Sequence, residues 1–310
     1  MYFPYLRGKQ FEMIALRELC ALFPDTITNI SPIIEPVKLS STLVSTLKEL
    51  AAKGVNFNLI INPRVGDLIG QDENILEIIR TELKDYQNLQ IGIIVDHKTG
   101  DNLDYMFQRL GLIDFEHNGF TLIHNYELAS LNLKKIQELE VRFNVIYSQK
   151  TSRRYYREFP QETRVSLDDY FKDQARNADY LGQESVFSEE YRFYDEDGFC
   201  GFSDFLTIGD NYSETGFLPR AVAIHISYIK SDRKIWVKHF VSESNGDVSD
   251  IGGKFAEAVA KLDDWAEQEG ITTQGVKKLQ DFKQSGHFPG LGTLKKLSVM
   301  NHIELILNHI

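Results

Sequence analysis

Six short apolar runs recur along the first half of the chain, and each ends in a polar residue before a helical pattern begins. The runs are continuously apolar rather than alternating, which is typical of parallel strands covered on both faces. Their last residues are roughly 24 to 34 positions apart, the length of one strand followed by one helix. The pattern predicts a repeated strand–helix unit, with strands at 2–7, 31–36, 57–63, 91–96, 120–124 and 141–147.

This repeated unit predicts a single α/β domain over residues 1–310 that folds as a (β/α)8, TIM-barrel-like structure. Right-handed crossovers between parallel strands bring the carboxyl ends of all the strands to one rim. An open doubly wound parallel sheet is the alternative, because it uses the same units but leaves its first and last strands as edges. A chain of 310 residues is long enough for either fold.

The regular spacing stops after Ser148. Residues 151–200 are interpreted as an irregular insertion, in which Ser166 is expected to cap a helix that runs to Tyr180. A seventh strand is expected at 201–208, where apolar and β-branched residues return.

Two further apolar runs, 220–228 and 234–241, are joined by a short polar link that predicts a hairpin turn. One run is expected to be the eighth barrel strand and the other an edge extension, and the sequence leaves open which is which. Apolar residues at helical spacing predict a helical C-terminal part over 253–310.

The acidic composition limits the classes of partner. The formal net charge is −11, whereas non-specific binding of nucleic acid needs a basic surface, so nucleic acid is not expected to bind over the bulk surface. The two cysteines, Cys20 and Cys200, are too few for a disulfide framework or a cysteine-based zinc site. No apolar stretch approaches the ~18 residues that span a bilayer. We therefore expect a cytoplasmic protein that does not associate with membranes.

Polar and charged residues at the strand ends form the predicted functional site, because the active groups of such barrels come from the carboxyl ends of the strands. Carboxylates and histidine are suited to acid–base chemistry or to holding a divalent metal ion. The sequence identifies no particular metal or cofactor. The residues predicted to be catalytic are Glu35, Asp96, His124 and Asp204. The residues predicted to bind substrate or an anion are Arg7, Lys38, Asn62 and Arg64.

These residues also have a structural interpretation. Glu35 and Asp96 directly follow apolar runs, and a buried carboxylate needs a partner. Ion pairs with arginine or lysine at neighbouring strand ends are therefore the alternative to catalysis. For His124 the alternative is a hydrogen-bonded structural histidine, since no short His-x-His spacing supports a metal site.

Three other features of the sequence suggest candidate binding sites or surface residues. A basic-aromatic patch at 153–157 is suited to phosphates, with Tyr155 and Tyr156 stacking on bases, and its alternative is a solvated loop. An acidic stretch at 189–197 is interpreted as the intramolecular mate of that patch or as a docking surface for a basic protein. His225 and His239 lie on the predicted hairpin and are expected to face solvent.

Three segments resemble the "beta protein" family of phages and bacteria: YFPYLRGKQ at 2–10, PIIEP at 32–36 and HFVSESN at 239–245. The resemblance implies a protein from a defence-type gene neighbourhood, in which such proteins often lie beside predicted nucleases. It supplies no catalytic residue set. Glu35 and Asp204 match the family pattern, but their roles do not follow from the match.

Two functions are compatible with these observations. The first is a component of a bacterial anti-phage defence-type system, a barrel-fold sensor or partner subunit beside a nuclease-like protein. It predicts a barrel mouth closed by salt bridges and an exposed aromatic or acidic surface for the partner. The second is a metal-assisted hydrolase or lyase that acts on a phosphorylated or nucleotide-like substrate at the barrel mouth. It predicts that the four catalytic candidates converge in one pocket.

Overall fold

The computed structural model describes residues 1–101, 103–111, 113–136, 138–214 and 218–310, and within them the chain forms eleven strands and ten α-helices. The strands are β1 (Tyr2–Leu6), β2 (Ile33–Ile34), β3 (Phe57–Ile60), β4 (Leu89–Val95), β5 (Phe120–His124), β6 (Val141–Tyr147), β7 (Arg164–Asp168), β8 (Glu184–Ser188), β9 (Gly201–Asp204), β10 (Ala223–Ile229) and β11 (Ile235–Val241). The helices are α1 (Gln10–Leu22), α2 (Ser41–Ala52), α3 (Asp72–Glu82), α4 (His97–Asp101), α5 (Leu103–Leu110), α6 (Ser130–Ile136), α7 (Glu190–Phe193), α8 (Ile251–Glu269), α9 (Gln274–Ser285) and α10 (Leu291–Leu307).

Eight strands form a closed parallel barrel in the order β1-β2-β3-β4-β5-β6-β7-β9. The barrel closes where β9 pairs with β1, with Asp204 opposite Pro4. The TIM-barrel-like prediction is confirmed. The open doubly wound alternative is wrong, because the strands that would be its edges are hydrogen-bonded to each other. All seven residues of β4 are buried, which explains why its run is continuously apolar.

Amphipathic helices follow the early strands and bury one face each. Helix α1 buries Met13, Leu16 and Leu19, and it packs against α2. Helix α2 begins after Ser40, whose hydroxyl oxygen accepts a hydrogen bond from the N–H of Leu43 at 3.1 Å. None of the helices in the described ranges is both long enough and apolar enough to cross a membrane.

Two contacts across the barrel identify the inner face of its strands. The ring of Phe3 on β1 packs against that of Phe143 on β6, with centroids 4.8 Å apart, although β7 and β9 separate these strands in the sheet. Gly201 lies on the same face, since a Cβ there would come within 2.5 Å of the Phe3 ring. Asn58 on β3 accepts a hydrogen bond from the hydroxyl of Thr121 on β5 at 2.5 Å. Because side chains alternate along a strand, these residues show which other side chains of the same strands point into the barrel and which point outward.

The sheet topology corrects several sequence-based assignments. The runs at 220–228 and 234–241 do form a hairpin, β10–β11, but neither enters the barrel. The run at 201–208, expected to be the seventh barrel strand, contains β9, which is the eighth strand of the barrel. The seventh strand of the barrel is β7. Strand β7 occupies residues that were expected to start a helix at Ser166, within a segment interpreted as irregular. Its residues are alternately half-buried and buried, so no continuous apolar run marks it in the sequence.

The chain divides into two compact units. The first comprises Met1–Asp169, Glu190–Asp204 and Ile310 and contains the whole barrel. The second comprises Tyr170–Glu189 and Phe205–His309, and its antiparallel sheet has the order β10-β11-β8. In this unit α10 packs against β10 and α8 against β11, which confirms the predicted helical C-terminal part. The description of 1–310 as one domain stays a prediction.

Candidate functional site

The carboxylate of Glu35, which follows β2, is fully buried, and both of its oxygens accept hydrogen bonds from the chain. Its Oε2 accepts from the hydroxyl of Tyr5 at 2.8 Å and from the guanidinium of Arg7. Its Oε1 accepts from the backbone N–H of Arg64 at 2.7 Å. Tyr5 and Arg7 lie on the inner face with Phe3, because alternate residues of β1 point the same way.

The carboxylate of Asp96, which follows β4, forms a second ion pair at the rim. The Nε of Arg64 donates to its Oδ2 at 2.5 Å, and Nη2 donates to its Oδ1 at 3.2 Å. Thr99 adds its backbone N–H at 2.8 Å and its hydroxyl at 3.1 Å. Burial disfavours the charged form of Asp96, but the hydrogen bonds from Arg64 and Thr99 outweigh it and lower the pKa.

Asn62 extends the hydrogen bonding between β3 and β4 beyond the end of β3. Its Nδ2 donates to the carbonyl of Ile94 at 3.0 Å, and its Oδ1 accepts from the N–H of Ile94 at 2.8 Å. Its own carbonyl accepts from Nη1 of Arg64 at 3.0 Å. The side chain predicted to bind substrate is therefore satisfied by the backbone of Ile94, while the main-chain carbonyl of Asn62 helps to position Arg64.

Five of the predicted site residues therefore meet at the rim formed by β1 to β4: Arg7, Glu35, Asn62, Arg64 and Asp96. Two guanidinium groups face two carboxylates, so the formal charges cancel. This is the ion-pair alternative of the sequence analysis. Lys38, which was predicted to bind an anion, is exposed and forms none of these contacts.

His124 does not join the rim carboxylates. It follows Thr121 by three residues in β5, so it lies on the outer face of the strand. There its Nε2 lies 3.0 Å from Oδ1 of Asn144, and its Nδ1 lies 3.2 Å from the hydroxyl of Tyr155. Burial lowers the pKa of His124 to about 4, against a small opposing effect of the Asn144 hydrogen bond. These contacts are those of a hydrogen-bonded structural histidine, which was the alternative interpretation of His124.

Asp204 likewise lies outside the barrel interior. It follows the inward-facing Gly201 by three residues, and it is 1% exposed. The hydroxyl of Tyr2 donates to its Oδ1 at 2.9 Å. Burial, together with the charge of Asp204, raises the pKa of Tyr2 well above its usual value. Asp204 is thus part of a structural contact between β9 and β1.

The described part of the chain contains no group of three or more His, Cys, Asp or Glu side chains arranged to hold a metal ion. The sequence analysis missed two members of the rim, Tyr5 and Thr99. Tyr5 had a usable signal, since it precedes Arg7 by two residues in a strand and so shares its face. Thr99 had none, because its contact with Asp96 depends on the turn that begins α4.

The basic-aromatic patch forms a second candidate site in the barrel unit. Arg153, Arg154, Tyr156 and Arg157 line a pocket of about 360 Å³, which we call the arginine pocket. Its three arginines are exposed, and none forms an ion pair with another described residue. Tyr155, expected to stack on bases, is 4% exposed and points into the fold instead.

Two histidines face each other in the second unit, contrary to the expectation that they face solvent. His225 and His239 are opposite residues of the β10–β11 pair, and their Nδ1 atoms are 2.7 Å apart. Burial, with the charge of its neighbours His239 and Lys295, lowers the pKa of His225 to about 3. Burial lowers the pKa of His239 to about 4. One ring must donate and the other accept. The lowered pKa values keep both rings neutral at neutral pH.

Comparisons with family models, curated proteins and solved structures found no match to this chain.

Proposed function

We propose that this protein is a non-catalytic barrel that serves as a sensor or partner subunit, with a rim held together by ion pairs. One observation carries the proposal: both rim carboxylates are fully engaged by donors of their own chain. Glu35 receives hydrogen bonds from Tyr5, Arg7 and Arg64, and Asp96 receives them from Arg64 and Thr99.

Such carboxylates are poor catalysts. A general base must reach the proton it removes and needs a pKa near the working pH. Asp96 has a lowered pKa and a bidentate arginine on its oxygens. Glu35 is buried with donors on both oxygens, so a metal ion or substrate would have to displace Arg7 or Arg64. Breaking a buried ion pair costs about 3–5 kcal/mol.

The resemblance to the "beta protein" family supports a place beside a nuclease-like protein in an anti-phage defence-type system. The acidic residues Asp195, Glu196 and Asp197 are exposed in the barrel unit, and they offer a surface for a basic partner. The nuclease-like protein would carry the chemistry, and the barrel would carry recognition.

The second candidate remains the hydrolase or lyase at the barrel mouth. Glu35 and Asp96 do converge at one rim with Arg7 and Arg64. His124 and Asp204, the other two residues that this function needs there, lie elsewhere. Asn125, at the end of β5, also has a buried amide oxygen with no hydrogen-bond partner among the described residues. An enzyme would use these groups only after a substrate had displaced the ion pairs.

The test is co-expression of the chain with the neighbouring nuclease-like protein, followed by native mass spectrometry of the purified material. We expect a complex of defined stoichiometry. The variant Asp96→Asn should keep both the complex and any activity of the assembly, because Asp96 does no chemistry. The triple variant Asp195→Lys, Glu196→Lys and Asp197→Lys should lose the complex.

Two results would overturn the proposal. One is an intact complex whose activity disappears in Asp96→Asn, which would make the rim catalytic. The other is the absence of any complex together with binding of Mg²⁺, Mn²⁺ or Zn²⁺ by the wild-type chain that Asp96→Asn abolishes in calorimetry. Circular dichroism of each variant shows whether the fold is retained.

A further inference from the structure

We propose that the arginine pocket binds a small polyphosphate anion, either a nucleoside triphosphate or inorganic triphosphate. The inference goes beyond the proposed function, because it assigns a ligand class to residues outside the rim. It does not depend on the rim being non-catalytic. Its basis is the combination of a pocket, three arginines without an ion pair among the described residues, and a packed segment that carries them.

Among the described residues, no carboxylate forms an ion pair with the arginines of the pocket. Arg153, Arg154 and Arg157 contribute three guanidinium groups to a protein whose formal net charge is −11. The acidic residues beside the pocket are Glu127 and Glu158. Glu127 accepts a hydrogen bond from the backbone N–H of Ser152, and both raise the pKa of Tyr155 as lesser causes after burial. Neither forms an ion pair with the three arginines, which remain available to an anion.

Guanidinium groups bind phosphate oxygens through paired N–H donors, and several of them around one pocket favour a ligand with several phosphates. A ligand of charge about −4, such as a triphosphate, matches three arginines better than a carboxylate or a single phosphate would. The arginines are exposed, so binding does not need a buried charge to be uncovered.

The wall of the pocket is held by packing. The Tyr156 ring contacts the Phe199 ring at 5.3 Å between centroids, and the guanidinium of Arg164 lies 5.3 Å from the centre of the Tyr156 ring. Arg157 lies 5.7 Å from the same ring centre. These contacts limit the motion of Tyr156 and Arg157, two of the four residues that line the pocket.

The segment that carries the pocket is anchored by a buried hydrogen-bond chain. Tyr155 lies in the sequence between pocket residues, and its hydroxyl accepts from the N–H of Leu128 at 3.1 Å and reaches His124 at 3.2 Å. His124 contacts Asn144, whose Nδ2 donates to the hydroxyl of Thr163 at 3.1 Å. Pre-organisation of this kind reduces the entropy lost when a ligand binds.

The size of the pocket favours a small ligand over a nucleic acid. Its volume of about 360 Å³ falls within the range of ~300–1,000 Å³ that small-molecule sites occupy. A polymer would have to lie along a surface that is acidic on balance, and that repulsion grows with its length.

Isothermal titration calorimetry of the full chain tests the proposal, with sodium triphosphate, ATP and adenosine as separate probes. We expect triphosphate and ATP to bind and adenosine not to bind. Similar affinities for triphosphate and ATP would show that the phosphates alone are recognised. A tighter ATP complex would show that the nucleoside is contacted as well. Both results support the proposal.

The double variant Arg153→Gln and Arg154→Gln should weaken triphosphate binding by about tenfold or more, because two of the three guanidinium groups that pair with phosphate oxygens are removed. The matched control is Arg142→Gln, an exposed arginine near the start of β6, whereas the pocket follows the end of that strand. The control should bind like wild type.

Four results would overturn the proposal. The first three are no binding of either phosphate probe at about 1 mM, equal binding of adenosine and ATP, and equal weakening by Arg142→Gln and by the double variant. Tight binding of a single-stranded oligonucleotide without binding of triphosphate would also contradict it, since the pocket would then recognise a nucleic acid polymer and not a small anion. Circular dichroism of the double variant controls for folding, and the exposure of both arginines makes unfolding a poor explanation for lost binding.

Discussion

The hydroxyl of Tyr155 lies 3.2 Å from Nδ1 of His124, with both side chains buried outside the barrel wall. Because Oδ1 of Asn144 can only accept and burial keeps His124 neutral, Nδ1 of His124 is left to accept the proton of this hydroxyl, which itself accepts from the N–H of Leu128. The histidine then carries its proton on Nε2 and donates it to Asn144 at 3.0 Å. A residue predicted to be catalytic thus acts as a neutral link between two strands and the segment that carries the arginine pocket.

The first prediction concerns this link. In Tyr155→Phe the ring still packs, but the Leu128 N–H and the His124 Nδ1 lose their partner. A buried polar group left unsatisfied costs about 1–3 kcal/mol, so we expect the free energy of unfolding to fall by that amount. Urea denaturation measures the change. Tyr156→Phe is the matched control, because the Tyr156 hydroxyl forms only an exposed contact with Arg157, and its stability should stay within about 0.5 kcal/mol of wild type.

The second prediction concerns the pair formed by Arg7 and Glu35. The substitution Glu35→Gln keeps the shape of the side chain but removes the charge opposite a guanidinium that is only 11% exposed. We expect a loss of about 3–5 kcal/mol in the free energy of unfolding, because an uncompensated charge is left buried.

A double variant separates the charge effect from a loss of packing. Replacing both members, Arg7→Met with Glu35→Met, should cost less than Glu35→Gln alone, since no unpaired charge remains. Chemical denaturation of both variants provides the comparison. If Glu35→Gln lost less than about 1 kcal/mol, the ion pair would not stabilise the rim as described.

The third prediction is a loss of stability in mild acid. Burial lowers the pKa of His124 and His239 to about 4 and that of His225 to about 3. In the unfolded chain these histidines take up protons near pH 6.5, while in the folded chain they stay neutral down to about pH 4. The unfolded state therefore binds more protons, and stability falls as the pH drops from about 7 to about 4, by up to about 1.4 kcal/mol per pH unit for each histidine.

Urea denaturation at pH 7.5, 6.0 and 5.0 measures this dependence. The variant His239→Asn removes one of the three groups, so its stability should depend less steeply on pH than that of the wild type. An equal slope in the variant and the wild type would show that His239 does not contribute to the pH dependence. A wild type that is more stable at pH 5.0 than at pH 7.5 would contradict the prediction altogether.

The strand ends show how far a sequence can locate a site. Arg7, Glu35, Asn62 and Asp96 were placed at one rim because parallel strands end on the same side of a barrel, and the structure brings them together there. His124 and Asp204 also end their strands, yet they face outward. A shift of one residue in register moves a side chain to the other face of the sheet. In a continuously apolar strand, the sequence does not show which residues point into the barrel.

The sequence by itself determined the class of fold, because the period of its apolar runs is set by the length of a strand and its covering helix. It also determined which chemical groups stand at the strand ends. The tertiary structure alone decided that β7 and β9 close the barrel while β10 and β11 form a separate sheet. It also decided that the rim carboxylates are engaged by arginines, and that three other arginines line a pocket. Pairing and contact between residues far apart in the chain depend on three-dimensional packing, which local patterns do not encode.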